Sequence, residues 1–195
     1  MKVLIVGGVA GGASAAARLR RLDEKSEIIM LERGEYISFA NCGLPYYIGG
    51  DIKNKSALTL QTPQSFNERF NVDVRTFNEV VGINKEAKSV TIKDSAHNKT
   101  YEESYDKLIL SPGAEPIIPP IEGVKSERVF TLRNIPDTYR ISEYIKEHHP
   151  KSAVVVGGGY IGIEMAENLH AAGLSVTIVE LADHIIGPID FDIAC

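Results

Sequence analysis

The sequence predicts an α/β fold: a Rossmann-like unit carrying an antiparallel β-meander, followed by the start of a second Rossmann-like unit. Two look-alike segments carry that prediction. "KVLIVGGVAGGASAAARLRRLDEKSEIIMLER" opens the chain, and "SAVVVGGGYIGIEMAENLHAAGLSVTIVE" comes near its end. Each begins with a short run of Val and Ile, as a parallel strand buried on both faces requires. A glycine-rich turn, an Ala/Leu-rich helix and a second apolar strand follow, ending at Glu32 in one segment and Glu180 in the other. A repeat at such long spacing marks two nucleotide-binding units rather than a solenoid.

Between the two segments, "TPQSFNERF" (62–70) predicts a short helix with Thr62 as N-cap and Pro63 at its first position. Residues 72–105 hold the β-branched stretches "VDVRT", "EVVGI" and "SVTIKD", read as the meander, with a turn near "HNK". "YDKLILSPGAEP" predicts a buried strand stopping at Pro112-Gly113, and the proline-rich "AEPIIPPIEG" a linker. A helix over roughly 136–148 leads into the second unit. The expected domains are therefore 1–113, a linker and helix over 114–150, and 151–195. A complete dinucleotide fold needs more strands than the second segment supplies, so the expectation is the N-terminal portion of a longer protein.

With 44% hydrophobic and 24% charged residues, the 195-residue chain has the composition of a soluble globular protein. A net charge of −5 without long like-charge blocks argues against nucleic acid as a partner. No apolar run is long enough for a membrane span, and "MKVLIVGG" runs straight into glycines rather than forming a signal peptide. The two cysteines, Cys42 and Cys195, make no disulfide scaffold; no bond between them and a cytoplasmic location are the expectations. The five histidines show no metal-ligand spacing, and His148-His149 falls at a helix end, where histidine complements the dipole.

In the second segment Gly157, Gly159 and Gly162 form G-x-G-x-x-G after a strand and opening a helix. The first glycine allows the tight turn, the second the approach of a pyrophosphate, the third close helix packing. Glu180 lies where a carboxylate accepts from both ribose hydroxyls, which favours NADH over a 2′-phosphorylated coenzyme. The first segment has Gly7 and Gly12 at the outer positions but Val9 at the middle one, so its backbone meets a pyrophosphate less closely or its turn is shifted. Glu32 completes this unit.

Cys42 stands alone in "YISFANCGLPYYIGG". By itself such a residue reads as readily as a small buried hydrophobe as a chemical group. Two dinucleotide units around a cysteine segment, with "VGGVAGGASAAARLRRLDE", "SFANCGLPYYIGG", "YDKLILSPGAEP", "FTLRNIPDT" and "VVVGGGYIGIEMAENL", resemble the pyridine nucleotide–disulfide oxidoreductases. The resemblance is to the single-cysteine branch, the coenzyme A disulfide reductases, including the form fused to a rhodanese domain. It implies FAD in the first unit and NADH or NADPH in the second. The catalytic cysteine would be Cys42, cycling through a mixed disulfide with coenzyme A, so the substrate supplies the second sulfur. The sister NADH oxidase and peroxidase branch, which works through a cysteine sulfenic acid, has histidine where this chain has Ala10 and usually serine where it has Asn41.

The resemblance further assigns Gly7, Gly8, Val9, Ala10, Gly11, Gly12, Glu32, Arg33, Val80, Ser111, Pro112 and Gly113 to the flavin. It assigns Gly157, Gly159, Tyr160, Ile161, Gly162 and Glu180 to the pyridine nucleotide. Ser14, Arg18 and Arg21 share one face of the first helix by spacing, with Ala15, Leu19 and Leu22 as the stripe facing the sheet. A hydroxyl and two guanidiniums suit phosphate, and the resemblance makes them, with Ser38 and Asn41, contacts to coenzyme A. Where the family pattern has lysine this chain has Phe70, so one phosphate contact is lost or moves to Arg69. CoA disulfide, CoA persulfide and polysulfide all stay open as substrates. A homodimer is implied for the full-length form, with no nucleic acid and no membrane partner. The alternative from another class is a non-catalytic fragment that binds ADP or CoA.

Overall fold

Burial on both faces explains why the first apolar runs contain so little polarity. The computed structural model describes residues 1–194, and its first unit comprises Met1–Phe39 and Thr59–Glu115. The strands there are β1 (Lys2–Val6), β2 (Glu27–Leu31), β3 (Asp73–Arg75), β4 (Asn78–Asn84), β5 (Ser89–Asp94), β6 (Lys99–Ser104) and β7 (Lys107–Leu110). β3-β2-β1-β7 form a parallel sheet, and β4-β5-β6 an antiparallel meander. Side chains alternate across the sheet. Val3, Ile5, Ile28 and Met30 pack with Ala13 and Ala16 of helix α1 (Ala10–Leu22) and Phe66 of helix α3 (Pro63–Phe70). Leu4, Ile29 and Leu31 pack against Val90 and Ile92 of the meander. Burying each such side chain contributes about 1.5–3 kcal/mol.

Helix α3 starts as expected at Thr62, whose hydroxyl accepts from the Ser65 N–H, and Ser65 returns the bond to the Thr62 N–H. Two expectations are corrected. "VDVRT" is not part of the meander: β3 joins the parallel sheet beside β2, and the third meander strand is β6. Val72 is fully buried and Val74 packs beside it on the helix-covered core, so both need a place next to β2. The stripe of α1 that meets the sheet is Gly12, Ala13 and Ala16; of the expected Ala15, Leu19 and Leu22, Leu19 packs against that core, whereas Leu22 is exposed. Small residues there let the helix lie close to the strands.

The second unit holds Ala40–Leu58 and the chain from Pro116 onward. Helices α2 (Leu44–Gly49), α4 (Ile135–His148) and α5 (Tyr160–Ala171) pack with the parallel pair β8 (Ser152–Val156) and β9 (Ser175–Val179); α6 (Phe191–Ala194) is a last short turn. Their core is Ile48, Ile141, Met165, Leu169 and Leu174, joined by Ala153 and Val155. The alternate residues Val154, Val156 and Val179 are exposed. α4 is capped by the Asn134 side chain, which accepts from Asp137 N–H at 2.9 Å, and ends at His148-His149, with His149 in the left-handed region. Residues 111–134 form no strand or long helix. Among the described residues no helix is long and apolar enough to cross a membrane. Cys195 lies outside the described residues.

Candidate functional site

The two glycine turns are built alike. Gly7 and Gly157 take φ of +96° and +106°, a conformation that favours glycine, and their N–H groups bond Leu31 and Val179 carbonyls at 2.8 Å. A Cβ on Gly12 would strike the Gly7 carbonyl, and one on Gly162 the Gly157 carbonyl. Glu32 accepts from Gly8 N–H and Gly34 N–H, both at 2.8 Å. Glu180 accepts from Gly158, Leu181 and Ala182 N–H at 2.5, 2.7 and 2.8 Å. The Ala182, Gly158 and Leu181 N–H groups hold the Glu180 carboxyl below the usual glutamate range. The likeness continues past the strands: Ser38 N–H bonds Gly8 O at 2.9 Å and Ile186 N–H bonds Gly158 O at 2.7 Å. Val9 therefore leaves the first turn in register. It stands at the N-cap of α1 as Gly159 does at that of α5, and neither helix has a side-chain cap. Nothing lies within 4 Å of where a Gly159 Cβ would sit. Uncapped N–H groups at both helix starts, with an open approach at Gly159, fit a pyrophosphate.

The remaining nucleotide candidates have varied surroundings. Ala10 and Gly11 are exposed at the first turn of α1, and Gly8 is buried against Ile37 and Glu32. Arg33 forms an ion pair with Glu115. Val80 packs on the meander core beside a break in strand register. Ser111 follows β7, its N–H bonding Val6 O at 2.8 Å, while Pro112 and Gly113 are exposed. Tyr160 and Ile161 are both exposed at the start of α5.

On α1, Ser14, Arg18 and Arg21 are exposed, as their spacing predicts. Arg20 differs. It donates to four backbone carbonyls, Phe70 at 2.9 Å, Asp23 at 3.1 Å, Glu24 at 2.8 Å and Asn71 at 2.7 Å. Arg21 and Arg69 both lie over the Phe70 ring, at 6.0 and 5.2 Å from its centroid. Among the described residues no carboxylate pairs with Arg18, Arg21 or Arg69, so this surface carries uncompensated positive charge.

Cys42 is exposed at the centre of a 3₁₀ turn, Asn41–Gly43. It is not packed into a core of the described residues. The turn runs directly into α2, which buries Leu44, Pro45, Tyr47 and Ile48 and ends at Gly50 with φ +93°. The Gly43 N–H closes the turn on Ala40 O at 2.9 Å. Beside Cys42, the Asn41 side-chain oxygen accepts from the Arg133 guanidinium at 3.4 Å. Among the described residues no cluster of His, Cys, Asp and Glu could hold a metal ion.

A family model described as pyridine nucleotide-disulphide oxidoreductase matches residues 1–194. The chain belongs to that family. The coenzyme A disulfide reductase of Staphylococcus haemolyticus is 44% identical over 191 residues, which cover 98% of this chain and 43% of that protein. The chain thus spans less than half the length of this curated relative. The crystal structure of reduced Bacillus anthracis CoADR-RHD is 59% identical with a TM-score of 0.96, covering 99% of this chain and 35% of that one. An NAD-dependent persulfide reductase from A. fulgidus is 35% identical with a TM-score of 0.94, covering all of this chain and 37% of that one.

Two side chains at these sites escaped the sequence reading. Arg20 is indistinguishable by spacing from its neighbours Arg18 and Arg21. Arg133 lies 92 positions from Asn41; the one local signal was its place just before the "NIPD" helix start.

Proposed function

We propose that this chain is the N-terminal portion of a FAD-dependent NAD(P)H:coenzyme A disulfide reductase that uses a single redox-active cysteine, with CoA persulfide or polysulfide as the other substrates of the same chemistry. The observation that carries the reading is Cys42, exposed between Asn41 and Gly43 in a chain so similar to coenzyme A disulfide reductases. In this reading residues 1–113 are the first segment of the FAD domain and 151–195 belong to the NAD(P)H domain, with 114–150 connecting them. Gly7–Gly12, Glu32, Arg33, Val80 and Ser111–Gly113 hold FAD. Gly157, Gly159–Gly162 and Glu180 hold the nicotinamide nucleotide.

FAD, when bound, supplies two-electron transfer between the nicotinamide and sulfur. Ser14, Arg18 and Arg21 hold phosphate groups of coenzyme A, since guanidiniums without carboxylate partners are free to bond phosphate oxygens. The Cys42 thiolate attacks one sulfur of CoA–S–S–CoA. The CoA–CoA sulfur bond breaks, Cys42–S–S–CoA forms, and one CoA thiolate leaves. Two electrons then cleave the mixed disulfide, restoring the Cys42 thiolate and releasing the second CoA, and solvent protons convert both released thiolates to thiols. A homodimer and a cytoplasmic location accompany this reading. The test is NADH-dependent CoA disulfide reduction by the full-length protein. Cys42→Ser abolishes it, and undiminished turnover by that variant removes Cys42 from the mechanism.

A further inference from the structure

We infer that Arg133 is a positioning residue for Cys42: by holding the Asn41 side-chain oxygen, it commits the Asn41 amide N–H donors to the exposed side of the turn that carries the cysteine. The inference rests on Cys42 being the reactive thiol of the proposed function. A guanidinium has donors and no acceptor, so only the oxygen of the Asn41 amide can face it. That contact, at 3.4 Å, sets which way the amide points. The Asn41 nitrogen has no protein partner among the described residues. No buried side-chain N or O atom there lacks a hydrogen bond, so this nitrogen reaches solvent. Asn41 and Cys42 are consecutive in the 3₁₀ turn, and Cys42 is exposed.

Arg133 can act this way because its own backbone is fixed. Its N–H donates to the Asp137 carboxylate at 3.0 Å, and the next residue, Asn134, caps α4. A 14-residue helix thus anchors the backbone from which the guanidinium extends. Outward N–H donors stabilise negative charge that builds on a sulfur or on a ligand acceptor beside the turn. With an unconstrained amide, the carbonyl could face that charge instead and oppose it.

The experiment follows alkylation of Cys42 by iodoacetamide at fixed pH in this 195-residue chain, with the modified peptide resolved by mass spectrometry so that Cys195 does not interfere. Arg133→Ala and Asn41→Ala each slow alkylation by about three- to ten-fold, the effect of one lost hydrogen bond. The double variant is no slower than either single one. Arg133→Lys, also donor-only, restores the rate. Asn41→Asp keeps an acceptor for Arg133, so the melting temperature holds, yet it removes the donors and slows the reaction. Wild-type reactivity in Arg133→Ala, multiplicative single effects, or no rescue by lysine would each overturn the inference. The assay needs neither flavin nor NADH, so it separates from the turnover test. Loss of turnover in Cys42→Ser with no effect of Arg133 sinks this inference alone. Full turnover in Cys42→Ser sinks the functional reading.

Discussion

Glu32 accepts the backbone N–H of Gly8 at 2.8 Å, tying the end of the second strand to the turn after the first. Glu180 makes the same bond to Gly158. In both units an acid of the kind that accepts from a ribose also holds the glycine turn in shape. A carboxylate oxygen has two lone pairs, so the two roles are compatible, and preorganisation of the turn is the consequence.

This arrangement predicts an acid dependence. The carboxyl of Glu180 has its pKa lowered in the folded chain by bonds from Ala182, Gly158 and Leu181. A depressed folded pKa gives stabilisation that is present above the unfolded value, 4.5, and lost as pH falls through the folded value. Thermal melts of the wild type should therefore weaken below pH 4.5. Glu180→Gln should melt lower near neutrality and lose less on acidification. Parallel pH profiles for the two proteins would refute the assignment.

Gly12 and Gly159 should separate folding from binding. Gly12→Ala drives a methyl group into the Gly7 carbonyl, at a cost of about 3 kcal/mol or more, and the expected outcome is a large drop in melting temperature or no folded protein. Gly159→Ala meets nothing within 4 Å, so stability changes by no more than about 1 kcal/mol. In the proposed reading its methyl instead occupies the pyrophosphate approach, and NADH affinity falls. Calorimetric titration with NADH reads the second effect.

The arginines of α1 should divide in the same way. Arg20→Ala removes hydrogen bonds to four backbone carbonyls, two of them part-buried, costing about 2 kcal/mol in denaturant unfolding. Arg18→Ala changes stability by less than about 0.5 kcal/mol. In the full-length protein it weakens coenzyme A binding about tenfold, the effect of one charge-assisted hydrogen bond. Equal loss of stability in both variants would contradict the division.

The helix that follows Cys42 is held by a close approach. A Cβ on Gly49 of α2 would run into the Asn168 side chain of α5. Gly49→Ala should cost about 1–3 kcal/mol, and Asn168→Ala in the same chain should recover part of that loss. A double-mutant cycle in urea checks the coupling. Additive effects would mean that the two residues do not meet.

Much of this was legible in the residues. The Val/Ile runs, the glycine turns and the Thr62 cap depend on chemistry within a few positions, which a linear reading captures. The exposed triad Ser14, Arg18 and Arg21 followed from helical spacing. "VDVRT" misled because β-branched alternation does not say which strand is the neighbour. Leu22 misled because apolar spacing alone cannot tell a buried helix end from one that runs past its core.

The sequence by itself determined two strand–turn–helix–strand units, because local sterics, capping and periodicity act over a turn or two of chain; Cys42 stood out only through the resemblance of its segment to a known family. Only the tertiary structure decided that β3 lies beside β2, that Ala40–Leu58 packs with the second unit, that Arg20 serves the backbone, and that Arg133 reaches Asn41. Those outcomes depend on partners dozens of residues away, and packing, not spacing, chooses them.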